Sequence, residues 1–105
     1  VEIIYNKLVR DKIPEVIEKA GKTPVFYKLD DPNQFKKLLV AKLREEVEEY
    51  CTSGDYNELA DILEVIHGLA EKVHEISYSE VEFIRAEKKD ARGGFGEGIF
   101  LEKVI

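Results

Sequence analysis

From Asp31 to Glu75 the chain reads DPNQFKKLLVAKLREEVEEYCTSGDYNELADILEVIHGLAEKVHE, two periodic halves around one break. In the first half Phe35, Leu38, Leu39, Leu43, Val47 and Tyr50 recur at helical spacing, which predicts a long helix over Phe35–Cys51. Asp31, Pro32 and Gln34 have the form of an N-cap, a proline at the first helical position and a glutamine at the third. Ser53-Gly54-Asp55 interrupts the pattern. A second long helix is predicted from about Tyr56 to Glu75, carrying Leu59, Ile62, Leu63, Ile66, Leu69, Ala70 and Val73, with Asp55 and Glu58 as a capping box. The connector is so short that the two helices should pack as antiparallel neighbours.

Working outward, Ile13, Val16 and Ile17 predict a helix over Lys7–Ala20, with Pro14 in its first turn and Gly21 at its end. Thr23–Leu29 (TPVFYKL) is β-branched and aromatic, as a short strand is. Ser79 with Glu82 is placed to cap a further helix over Glu80–Ala91, and Arg92-Gly93-Gly94-Phe95-Gly96 follows as a glycine-rich loop. Ile99–Ile105 is apolar enough for a terminal strand that pairs with Thr23–Leu29. The expected fold is therefore mainly α: a single domain over residues 1–105, a helical bundle around two long antiparallel helices, with a small two-stranded β-element. Val65 lies outside the main stripe of its helix, and Val47 and Tyr50 widen the arc of the other. Such wide apolar arcs predict completion by oligomerisation, as a homodimer or homotetramer.

With 105 residues there is room for one hydrophobic core. Hydrophobic residues at 44% and charged residues at 36% describe a folded chain with a charge-rich surface. Acidic residues outnumber basic ones, 22 to 16, so a basic grip on a nucleic acid polymer is not expected. An anionic small molecule remains compatible, because local charge can oppose net charge. Cys51, the single cysteine, has no internal partner, and a reducing, cytoplasmic setting is the simplest expectation. No apolar run approaches the roughly 20 residues of a membrane helix, and no signal-peptide pattern is present, so neither membrane insertion nor secretion is expected.

The chemistry lies in Lys42-Leu43-Arg44-Glu45-Glu46-Val47-Glu48-Glu49 and the following Glu58-Leu59-Ala60-Asp61. On a helical wheel Phe35, Leu39, Leu43 and Tyr50 span roughly 80°. Glu46 falls inside that arc, Glu49 lies between Phe35 and Leu38, and Glu45 sits just beyond Leu38. A Glu-rich helix is ordinarily a solvated face. Carboxylates on the core-facing side are another matter, because an unpaired buried charge costs several kcal/mol and needs a partner. Glu58 and Asp61, one turn apart on the next helix, approach the first set if the helices are antiparallel. Four or five converging carboxylates suit Mg²⁺, which takes oxygen ligands and keeps positions for water or phosphate. A calcium-type loop of acidic and carbonyl ligands is absent.

Glu45-Glu46-x-x-Glu49 followed by Glu58-x-x-Asp61 resembles the signature of the all-α nucleoside triphosphate pyrophosphohydrolases, the MazG-like superfamily, which includes phosphoribosyl-ATP pyrophosphohydrolases and dimeric dUTPases. Tyr5–Pro14 (YNKLVRDKIP) is similar to the opening of a compact, phosphoribosyl-ATP pyrophosphohydrolase-like branch, and Lys89–Phe95 (KDARGGF) with Ile99–Leu101 to its end. The resemblance implies cleavage between the α- and β-phosphates of a nucleotide, giving a monophosphate and pyrophosphate. It implies Glu45, Glu46, Glu49 and Asp61 as Mg²⁺ ligands, with Mn²⁺ as a substitute, and Glu58 as a further ligand or a neighbour that orients water. These five form the expected catalytic set. Only eight residues separate Glu49 from Glu58, fewer than in many members, which leaves the base preference open.

A polyphosphate also needs cations. Lys7, Arg10 and Lys12 cluster near the start, Lys42 precedes the acidic run, and Lys89 and Arg92 precede the glycine loop, whose Gly93-Gly94 amides could form an anion nest. The plain alternatives are solvated lysines and a helix stop at Arg-Gly-Gly. Two rival functions come from other classes. Glu64-x-x-His67 and Glu71-x-x-His74 have the spacing of di-metal carboxylate bundles, although both lie on one helix away from Glu58 and Asp61. A non-catalytic helical regulator that binds nucleotide or a partner protein is the other. Cys51 makes a poor nucleophile and suits packing on its helix's last turn.

Overall fold

A computed structural model describes all residues, 1–105, and the chain is entirely helical where it is regular: α1 (Ile13–Lys19), α2 (Pro32–Ser53), α3 (Asn57–Gly68), a π-helical turn (Leu69–Val73) and α4 (Tyr78–Arg92). α1 begins at Ile13 rather than Lys7. Proline is tolerated only in a helix's first turn, so Pro14 fixes the start, and the preceding residues run out as irregular chain. α2 starts as its sequence predicts, with Pro32 in the first turn and the Asp31 carboxylate accepting the Asn33 amide at 3.0 Å. It ends at Gly54, whose left-handed φ of 66° lets its amide reach the Tyr50 carbonyl at 2.8 Å.

α2 and α3 are antiparallel neighbours. Gly68 lies against Leu39 and, further toward the connector, Asp61 and Glu58 lie against Glu46, so residue numbers rise on one helix as they fall on the other. The face of α3 turned to α2 differs from its most apolar stripe. Val65, expected at the flank, is buried at 7% exposure, while Leu59 and Leu63 of the predicted stripe are exposed. Asp61 is one turn from Val65 and so shares its face.

Three sequence expectations are corrected beyond this pair. The second long helix is not α-helical to Glu75: after Gly68 it widens into the π turn, closed by the His74 amide on the Leu69 carbonyl at 3.1 Å. The Ser79–Glu82 box does not form. Ser77 holds the N-cap position of α4, its hydroxyl 2.6 Å from that of Ser79, while Glu82 is drawn into a two-contact pair with Arg85. The two-stranded β-element is absent as well. Thr23–Leu29 and Ile99–Ile105 are irregular chain, exposed except at half-buried Pro24 and Leu29, and β-type residues make no strand without a backbone partner.

The packed interior is small. Only 4 of 105 residues are buried: Leu39, Val65, Ala70 and Glu46. The accessible surface is 9633 Å², against about 6,000 Å² for a compact chain of this mass. The radius of gyration is 18.1 Å, against about 13 Å. No helix is long and apolar enough to cross a membrane.

Candidate functional site

The α2–α3 pairing gathers the predicted carboxylates into two overlapping groups. Oxygens of Glu45, Glu46 and Glu49 lie within 4.8 Å of one another, and so do those of Glu46, Glu58 and Asp61. Glu46 belongs to both and is 7% exposed. Its position follows from the periodicity: two turns beyond Leu39, it occupies the same buried face of α2. Glu58 is available because the capping box stays open. Tyr56, not Asp55, holds the N-cap position of α3; the Asp55 carboxylate one residue earlier accepts the Asn57 amide at 2.9 Å, and the Glu58 side chain turns toward α2.

Three cations touch this group. Lys7 meets Glu45 at 3.1 Å, Arg10 meets Asp61 at 2.7 Å, and Lys42 lies 3.3 Å from Glu46 and 3.7 Å from Glu45. Five carboxylates against three cations leave an excess of two formal negative charges. Two oxygens, Oε2 of Glu46 and Oε2 of Glu58, are sealed from solvent with no hydrogen-bond partner. Sealed carboxylate oxygens without donors are costly, and a divalent cation would satisfy them and balance the charge.

The electrostatics divide along the same lines. The Lys7 ammonium bonded to Glu45 lowers that carboxyl's pKa and has its own raised in return. Burial raises Glu46, opposed by Lys42 and reinforced by Glu49. Burial also raises Glu58, with Glu49 and Asp61 adding repulsion. A carboxyl raised on folding favours the folded chain when protonated. Without added metal, the melting temperature should therefore rise as pH is lowered from 7 to 5. Glu45 acts oppositely, but only as pH falls below its ordinary value of 4.5. Thermal melts across that range check this, and the slope should shrink in Glu46→Gln.

The other predicted cations are not brought to the group. Lys12, Lys89 and Arg92 make no ion pair or side-chain hydrogen bond, and α4 packs against the π turn. The Gly93 amide is spent on the Lys89 carbonyl at 2.7 Å, so Arg-Gly-Gly is a helix stop and an anion nest there loses that donor. The Glu-x-x-His patterns do not converge either. His67 stacks on Tyr78 at 3.7 Å, and neither histidine joins a ligand group. Cys51 is exposed rather than packed, because α2 runs on to Ser53. Sequence reading missed Thr52 and Ser53, which with Glu48, Glu49 and Glu58 line an open depression of about 290 Å³ beside the cluster. Their spacing from Glu48 and Glu49, one turn along α2, was the available signal.

Comparison with known proteins adds little chemistry. No family model matches the chain, and no solved structure does. Over 43 residues the chain is 51% identical to an uncharacterized protein of Mycolicibacterium smegmatis. The matched stretch is 41% of this chain and 43% of that protein, so it spans less than half of either.

Proposed function

We propose that this chain is the subunit of a Mg²⁺-dependent nucleotide pyrophosphohydrolase, cleaving a nucleoside triphosphate or related nucleotide between its α- and β-phosphates. The observation that carries this is Glu46, a buried carboxylate shared by two ligand groups and keeping one sealed oxygen without a donor. Glu45, Glu46, Glu49 and Asp61 would hold Mg²⁺, or Mn²⁺ in its place, which when bound neutralises phosphate charge and acidifies a coordinated water. Glu58 stands beside Glu46 and Asp61 with its carboxyl raised by burial and by Glu49, which suits it as a further ligand or as the neighbour that orients the attacking water. Lys7 and Arg10 stand on the outer carboxylates and offer their remaining N–H groups to phosphate oxygens; Lys42 keeps Glu46 and Glu45 in place.

No hydrophobic residue lines the depression beside the cluster, whereas a nucleotide base is ordinarily held by apolar and aromatic side chains. A homo-oligomer that covers the exposed Val47, Leu59 and Leu63 supplies such walls, and we include it in the proposal, as a dimer or tetramer.

The test is a panel of nucleoside triphosphates scored for pyrophosphate, with and without Mg²⁺. Metal-dependent pyrophosphate release from at least one member is expected. No release from any, together with melting unmoved by Mg²⁺, overturns the proposal; Mg²⁺ and nucleotide binding without turnover leaves the regulator reading. Arg10→Met should raise KM about tenfold with a smaller change in kcat, since it removes binding shared by ground and transition states. Steady-state kinetics check that split.

A further inference from the structure

Thr23–Leu29 and Ile99–Ile105 are unusual pieces of chain to leave in water. None of the 61 backbone hydrogen bonds involves residues 23–30 or 99–105. Their side chains are just as unsatisfied: Val25 is 99% exposed and Phe100 90%. β-branched and aromatic residues on backbone with open N–H and C=O groups describe a strand edge awaiting a partner. The two runs do not pair within one chain. Each lacks what the other offers.

We propose that two copies of this chain exchange these segments, Thr23–Leu29 of one pairing antiparallel with Ile99–Ile105 of the other. An isologous pair of this kind closes on itself, since each copy gives and receives one strand and no run is left over. The sequence favours the register with Lys28 opposite Glu102 of the second copy. Val25, Tyr27 and Leu29 then share a face with Ile105, Lys103 and Leu101, and Phe26 faces Val104. Pro24 falls near the ribbon's end, where a missing amide is tolerated. A two-stranded ribbon is marginal alone and needs an apolar bed; exposed Phe83 and Ile84 on α4 provide one.

The area is sufficient. The chain exposes 9633 Å², about 3,600 Å² beyond a compact chain of its mass, where each partner of a standard interface buries about 800 Å². This inference rests on the oligomer reading above but not on the chemistry at Glu46.

The test uses a Cys51→Ser background. One tagged chain carries Lys28→Cys, a second, differently tagged, carries Glu102→Cys, and the mixture is treated with oxidised glutathione while light scattering follows the unmodified chain. The expected result is a disulfide-linked product joining the two tags, absent from either variant alone, with the unmodified chain above its 12.1 kDa monomer mass. An oligomer with no mixed-tag product overturns strand exchange and leaves a helix-mediated assembly standing. A monomer at micromolar concentration removes both. A chain carrying both cysteines that links only within itself also overturns the exchange.

Discussion

Glu46→Gln is expected to lower nucleotide turnover about 10²-fold or more while leaving metal-free stability unchanged or higher. The two effects come from one side chain read in two ways. As the proposed ligand, Glu46 is the group common to both carboxylate sets, so removing its charge would weaken the proposed hold on Mg²⁺ from both helices at once. As a buried acid, its charge opposes folding. Its pKa is raised by burial first, and the Lys42 contact at 3.3 Å does not offset that and the repulsion of Glu49. Were Glu46 instead held by a dominant ion pair, removing its charge would cost roughly 3–5 kcal/mol, and its pKa would be lowered. Melts with and without Mg²⁺ separate these cases. At a hundredfold excess over Kd a ligand adds about 2.7 kcal/mol, which in a domain this size moves melting by on the order of 10–20 °C. Wild type should show that shift and Glu46→Gln should lose most of it. A mutant destabilised by several kcal/mol, beside a wild type indifferent to Mg²⁺, removes the metal site.

Glu46 is legible in the sequence because a helix constrains its own faces so strongly. A carboxylate in the arc of Leu39 and Leu43 is turned inward with them, and Glu46 is buried beside buried Leu39 and half-buried Leu43. The short Ser53–Asp55 connector likewise left α3 only an antiparallel course, which brings Glu58 and Asp61 to α2. The orientation of α3 about its axis was less legible. Its most apolar residues are not all inward: Leu59 and Leu63 face out, and the inward face is defined by Val65 with Asp61. A stripe reports which residues avoid water, whereas the connector decides which meet α2. The π turn had no periodic signature, because one inserted residue shifts the helical register without altering composition. Thr23–Leu29 and Ile99–Ile105 show the opposite failure. Their residue types led to the expectation of paired strands, and no strand forms, because pairing is a property of two segments in contact, which one chain's order along the sequence does not determine.

The packing that holds the two carboxylate sets together rests on few residues, so Leu39→Ala should be the most damaging single core change. Leu39 is 6% exposed and, with Val65 and Ala70, makes up the buried apolar interior. Leu-to-Ala changes in cores cost about 2–5 kcal/mol, less where the site can collapse, and an interior this open favours the lower half. Even about 2–3 kcal/mol is a large share of the roughly 5–15 kcal/mol a domain possesses, and a fall in melting of on the order of 10–20 °C is expected. The partner of Leu39 gives a sharper check. A Cβ added to Gly68 would lie 3.2 Å from Leu39 Cδ2 and 3.9 Å from Cδ1, so the leucine occupies the space an alanine there would take. Gly68 has ordinary helical φ and ψ of −60° and −43°, and alanine carries no backbone strain. In wild type, Gly68→Ala should come out near neutral, its helix-propensity gain of about 1 kcal/mol offset by the contact with Leu39. In Leu39→Ala the contact is gone, and the same substitution should recover about 1 kcal/mol. Chemical denaturation of the four proteins measures the coupling. Equal effects of Gly68→Ala in both backgrounds would mean that these residues do not face each other, and the antiparallel register that brings Glu46 to Asp61 would fall with them.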